Sequence, residues 1–136
     1  MAVIGAGVTQ KTRITLATGE NLDVAATGTL SVTASNQAVR YTAAPGGSVI
    51  INNGLINRRS PPAAPSVSTI GAVLNATINN NAGGVIRSGD DAIQVAVGTV
   101  SSGQLNIFNA GLIEATSGGQ GLDLQGLATA STSISC

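Results

Sequence analysis

Six carboxylates and six basic side chains carry most of the chemistry open to this 136-residue chain. The acids are Glu20, Asp23, Asp90, Asp91, Glu114 and Asp123, and only Asp90 and Asp91 are adjacent. A carboxylate pair could cleave glycosidic bonds. Neighbours on a strand point to opposite faces, however, so adjacency separates the two carboxyls. SGDD (88–91) therefore reads as a turn, with Asp90 capping local amides and Asp91 solvated. The chain has no histidine, which rules out Ser-His-Asp and Cys-His nucleophiles and the usual Cys/His zinc sites. GGQGLDL (118–124) holds one Asp and falls short of the oxygen-rich array that calcium needs. The glycine pairs at 46–47 and 83–84, and GAG (5–7), open no helix and so make no phosphate cradle. Cys136 is the one cysteine. It cannot close an internal disulfide, which leaves an ordinary terminal residue or an intermolecular bridge. The expectation is a non-enzyme with no catalytic residue, no cofactor and no metal.

The basic residues give one candidate for recognition. Arg58 and Arg59 precede RSPPAAPS (59–66), a segment without strand pattern. The plain reading is a solvated loop base. The functional one is a partner-facing loop carrying Arg58, Arg59, Pro61 and Pro62, because prolines hold it extended and outside any ladder. Net charge is zero and charged residues are only 9%, so no field exists to draw nucleic acid. Tyr41 and Phe108 are the only aromatics, too few to stack bases or sugars. No apolar run reaches the 18 residues of a membrane span.

The elements that would position these side chains are repeats. INNGLIN (51–57), INNNAGGVIR (78–87) and IFNAGLIEA (107–115) share an isoleucine, an asparagine two residues later, a glycine and an apolar pair. Ile51, Ile78 and Ile107 lie 27 and 29 residues apart. AVRYT (38–42), DAIQV (91–95) and GLDL (121–124) form a second phrase, with TIGAV (69–73) expected as the copy displaced by the proline segment. Strand-like pieces of three to six residues alternate with tight turns, and no window keeps helical spacing. A fixed period means units that bury their apolar faces by stacking. The expected fold is all-β: a parallel β-helix, or β-solenoid, with three short strands per coil, about four coils and a period of 27–30 residues.

Stacking assigns residues. Ile51, Ile78 and Ile107 should form one core pile, Ile56, Ile86 and Ile113 a second, and Val39, Ile93 and Leu122 a third. Asn53, Asn80 and Asn109 should form a ladder of amides along one corner, each donating to the next coil. Gly54, Gly84 and Gly111 should supply positive φ at corners. The chain reads as one solenoid domain or fragment over 1–136. Residues 1–13 form an N-terminal edge, 14–124 the coils with the insertion at 59–66, and 125–136 a C-terminal edge.

INNGLI, NAGGVIRSGDDAIQV and NAGLIEATSGGQGLDL resemble the repeats of autotransporter passenger domains of Gram-negative bacteria. ITLATGENLDVAATGTLSV (14–32) resembles their first coils, so the likeness covers about residues 14–124. It implies a right-handed β-helix, folded outside the cell or at the bacterial surface, serving adhesion, aggregation or display. No secretory signal is visible, which points to assembly in the cytoplasm or to an internal piece of a longer chain. The expected partner is the chain itself, stacked head to tail into filaments through unprotected edges. The alternative is a phage tail-fibre or tailspike segment that binds surface glycans.

Overall fold

The computed structural model describes residues 1–33, 37–41, 46–59, 67–69, 73–95, 102–125 and 131–136. The described residues are all-β. Small and β-branched residues alternate with polar ones over short runs, and Gly, Asn and Ser break each run, so strands stay short. Sixteen strands follow in order. The first three are β1 (Ala2–Ile4), β2 (Thr9–Gln10) and β3 (Ile14–Leu16). Then come β4 (Leu22–Val24), β5 (Thr29–Val32), β6 (Val39–Tyr41), β7 (Ser48–Asn52), β8 (Leu55–Arg58) and β9 (Val67–Thr69). The last seven are β10 (Val73–Asn80), β11 (Val85–Ser88), β12 (Ile93–Val95), β13 (Ser102–Asn109), β14 (Leu112–Ala115), β15 (Leu122–Asp123) and β16 (Ser131–Ser135).

Pairing follows one rule: each strand pairs in parallel with the strand three places later. Three sheets result, in the orders β1-β4-β7-β10-β13-β16, β2-β5-β8-β11-β14 and β3-β6-β9-β12-β15. We call them sheets 1, 2 and 3. The chain thus visits the three sheets in turn, five times, and finishes on β16 in sheet 1. This is one unit more than the four expected. The opening unit is shorter than the rest: the Gly7 N–H donates to Thr27 Oγ1 across a separation of 20 residues, against 28 and 29 in the later units. Its length falls outside the 27–30 residue period, and β1 and β2 pair with the next unit in the segment expected as an N-terminal edge.

Parallel pairing without stagger stacks like on like. Leu30, Ile56, Ile86 and Ile113 share one register in sheet 2, as expected for the last three. Ile14, Val39, Val67, Ile93 and Leu122 share one in sheet 3. The copy that fills the gap there is Val67–Thr69; most of TIGAV lies outside the described residues. In sheet 1 the pile is Leu22, Ile50, Ile78 and Ile107, and Ile51 is not in it. Along β7, Ser48, Ile50 and Asn52 point inward and are buried. Ile51 faces outward in register with Asp23 and Asn79. Two consecutive isoleucines satisfy the period equally well; strand parity chooses between them.

The inward positions of all three sheets form one apolar cluster, in which Ile4, Leu16, Leu22, Leu30, Ile50, Ile56, Ile78, Ile86, Ile93 and Ile107 are fully buried. Burial weakens at the far end, where Ile113, Leu122 and Leu124 are only partly covered. Among the described residues no helix is long and apolar enough to cross a membrane.

Tyr41 is the odd member of this core. Its ring is fully buried at the end of β6, and its hydroxyl finds no hydrogen-bond partner among the described residues. Burial pushes its pKa up from the ordinary 10.0, because a phenolate would have to sit in apolar surroundings. A raised folded pKa contributes stability that is intact below pH 10 and is lost as pH climbs from there toward the folded value. Tyr41 is the only tyrosine, so phenolate absorbance reports it alone. We expect that absorbance to rise together with loss of β circular dichroism, with stability falling by about 1.4 kcal/mol per pH unit above pH ~10. Tyr41→Phe should flatten this alkaline limb and add about 1 kcal/mol at neutral pH by removing an unpaired buried hydroxyl. Titration of Tyr41 in the folded state near pH 10 would contradict this.

Candidate functional site

Three places among the described residues gather polar side chains: the corner between sheets 1 and 2, the outer face of sheet 2, and the turn at Asp91. At the corner, the inward column that begins as Ile4 and Val24 continues as Asn52, Asn80 and Asn109. Asn52 Nδ2 donates to Asn80 Oδ1, and Asn80 Nδ2 to Asn109 Oδ1, both at 2.7 Å. The amides also serve the turns. Asn52 Nδ2 reaches the Val85 carbonyl and Asn80 Nδ2 the Leu112 carbonyl, each at 3.1 Å, while Asn52 Oδ1 accepts from the Gly54 N–H. Asn52 and Asn80 are fully buried, so these bonds satisfy groups that water cannot reach.

The ladder therefore contains Asn80 and Asn109 as expected, with Asn52 in place of Asn53. Asn53 lies one residue further, outside the core. It accepts from Asn81 Nδ2 at 2.8 Å in a short exposed pairing of its own. The doubled asparagine of INNG hides the choice, as the doubled isoleucine does.

The neighbouring glycines have a different role from the one expected. Gly54, Gly84 and Gly111 are not among the positive-φ glycines, which include Gly7, Gly19 and Gly83. They are required by close approach. A Cβ on Gly54 would collide with the carbonyls of Gly28 and Ala25, and one on Gly84 with the Asn52 carbonyl and the Asn80 amide. One on Gly111 would strike the Gly84 carbonyl. Backbone bonds climb the same column, from Leu55 N to Gly28 O, Val85 N to Gly54 O and Leu112 N to Gly84 O.

The outer face of sheet 2 carries a groove of about 580 Å³. It crosses the strands from Thr9 and Thr29 past Asn57 to Arg87 and Thr116. Lys11 and Arg59 are exposed at its margin. Arg87 donates through Nε to Glu114, its register partner on β14. Arg58 also borders the groove but is 1% exposed. It occupies the inward column between Val32 and Ser88. That overturns both expectations for Arg58, the solvated base and the partner-facing side chain: strand parity along Leu55–Arg58 turns it inward. Arg59 does face solvent. Pro61 and Pro62 lie outside the described residues.

The adjacent acids are also arranged differently from expectation. Asp91 is buried. Its Oδ1 accepts from the Gln120 N–H at 2.7 Å and its Oδ2 from Gln94 Nε2 at 3.1 Å. The same Gln94 amide reaches Asp123 at 3.3 Å. Asp91, rather than Asp90, ties the turn to the next unit, while the Asp90 N–H donates to Ser88 Oγ. Both Asp91 oxygens are engaged in structural bonds. Among the described residues no three Cys, Asp or Glu side chains converge as metal ligands. Cys136 is an exposed free thiol.

The ladder separates structural from ornamental asparagines. Asn80→Ala should cost about 2–3 kcal/mol, since it removes one of the two acceptors of Asn52 Nδ2 and the donor to Asn109 Oδ1 and the Leu112 carbonyl. Asn53→Ala should cost no more than about 0.5–1 kcal/mol, as its bond from Asn81 is exposed and its part-buried bond to the Val24 carbonyl is long at 3.4 Å. Chemical denaturation of the two variants checks this, and equal losses would place Asn53 in the ladder.

No protein-family model, curated protein or solved structure matches the chain.

Proposed function

We propose that this chain is a non-catalytic structural β-solenoid, a right-handed parallel β-helix that acts as a passenger-like surface or fibre element and stacks head to tail into filaments. The observation that carries the reading is the pairing rule. A strand that always pairs with the one three places on winds the chain around a single core. Each sheet then begins on a strand of the first unit; sheets 2 and 3 end on strands of the fifth, and sheet 1 adds β16 beyond it. Both ends present sheet edges without a further partner among the described residues, and such edges recruit strands. A heterologous contact of this kind repeats without closing. Low charge imposes little repulsion between stacked copies. Surface or extracellular placement rests on the resemblance of the repeats to passenger domains and belongs to the same proposal.

The first strand shows how to test it. Ala2 N donates to Asn21 O, and Ile4 O accepts from Ala25 N, so these two residues face β4. Parallel pairing alternates, which leaves the Val3 N–H and C=O pointing outward. Val3 is also exposed. Val3→Pro should therefore remove an edge donor without breaking an internal bond. The unmodified chain should form long, unbranched, concentration-dependent fibres in electron microscopy, and Val3→Pro should remain folded and shift to short or monomeric particles. A monodisperse monomer at high concentration would sink the proposal.

A further inference from the structure

The groove on sheet 2 has a property that a pure scaffold does not need. The chain has six basic residues in all, and Lys11, Arg58, Arg59 and Arg87 all border this one groove, with no carboxylate among its lining residues. A chain of zero net charge has thus placed most of its positive charge along one trough. The buried Arg58 adds field from beneath. Glu114 holds Arg87 in place at one end, and Lys11 and Arg59 stand in solvent at the margin.

Between these charges lie neutral hydrogen-bonding side chains, Thr29, Ser31 and Asn57. Thr29 and Ser31 sit on β5 and Asn57 on β8, between Thr9 of β2 and Arg87 of β11, so the trough runs across the sheet. Five strands spaced about 4.8 Å apart make it about 19 Å long. Its shape suits an extended polymer. Its chemistry suits one bearing both hydroxyls and anionic groups. The described lining includes no aromatic ring, so neither base stacking nor sugar stacking contributes, which disfavours nucleic acid and neutral glycans alike.

We propose that this groove binds a linear anionic polysaccharide, its carboxylates or sulfates held by Lys11, Arg59 and Arg87 and its hydroxyls by the intervening Thr, Ser and Asn side chains. This goes beyond the scaffold proposal and does not depend on it: a monomer that fails to form fibres would still carry the groove.

The test is titration of the full chain with polygalacturonate, dextran and a single-stranded oligonucleotide of matched charge. Polygalacturonate should bind, weakening as salt rises, because ion-pair contacts release counterions. Dextran should not bind. Lys11→Gln and Arg59→Gln should each weaken polygalacturonate binding about two- to tenfold, the range for exposed to partly desolvated ion pairs. Arg13→Gln removes the same charge from outside the groove and should leave affinity unchanged. Circular dichroism and melting of each variant establish that it is folded. Absence of polygalacturonate binding overturns the proposal. So do equal losses for Arg13→Gln and the groove variants, which would mean net charge alone acts, and so does tighter binding of the oligonucleotide.

Discussion

Everything in this molecule depends on parallel strands pairing with almost no stagger between one unit and the next. That constraint places each residue directly over its counterpart about 4.8 Å away. A residue must therefore be compatible with itself, or with a close substitute, several times over. Branched aliphatics meet this demand and fill the inward columns of all three sheets. Asparagine meets it in another way, because one amide is both donor and acceptor and can chain with identical neighbours. Charge does not meet it, which explains why the chain holds so little. Where charge does stack outward in sheet 2, Arg87 is answered by Glu114 at the same register.

The corner between sheets 1 and 2 shows how the demand shapes sequence. In the first two units the column is aliphatic, Ile4 and then Val24. From Asn52 onward it is an amide ladder. Asn52 and Asn109 are each followed two residues later by a glycine, while Asn80, like Val24 before it, precedes a four-residue corner that ends in glycine. A tight corner turns carbonyls and N–H groups into the interior, and the amides satisfy them at Gly54, Val85 and Leu112. The glycines belong to the same solution. They let backbone approach backbone where a methyl group would collide. The glycine column extends further than the ladder, since Gly28 approaches the Ile4 carbonyl in the same way where the inward residue is Val24.

These roles set how much could be read from residues alone. Strand identity, parallel stacking and the Ile56–Ile86–Ile113 register are legible because period and alternation agree there. Ile50 against Ile51, and Asn52 against Asn53, are not legible. Each is a doubled residue, the period accepts either, and only inward or outward parity decides. Arg58 is the harder case. An arginine before a proline-rich segment reads as exposed, yet the alternation Leu55, Ile56, Asn57, Arg58 already pointed it inward. Composition overrode a parity signal that was present. The glycines misled for another reason: positive φ and close approach select the same residue, and only the neighbours across the stack distinguish them. The short first unit escaped because its 20-residue separation breaks the period that revealed the others.

Inward and outward columns answer to different rules, and this separation bears on function. An inward substitution must suit the units on both sides, as Asn80 does with Asn52 and Asn109. An outward one faces solvent and is constrained mainly by its own strand. Thr29, Leu55, Val85 and Leu112 share one outward register, and Ser31, Asn57, Arg87 and Glu114 the next. Neither column keeps one residue type through adjacent units, unlike Ile56, Ile86 and Ile113 behind them. Variation is thus concentrated on the face that bears the groove, while the packing that holds the face rigid is nearly uniform. A rigid stack with a variable outer column can acquire a binding surface without re-engineering its core, because a charge added outside costs little in stability. The buried Arg58 departs from that rule. It places a charge in the mixed inward column Val32, Arg58, Ser88 and Ala115, where desolvation is expensive unless the charge is paired.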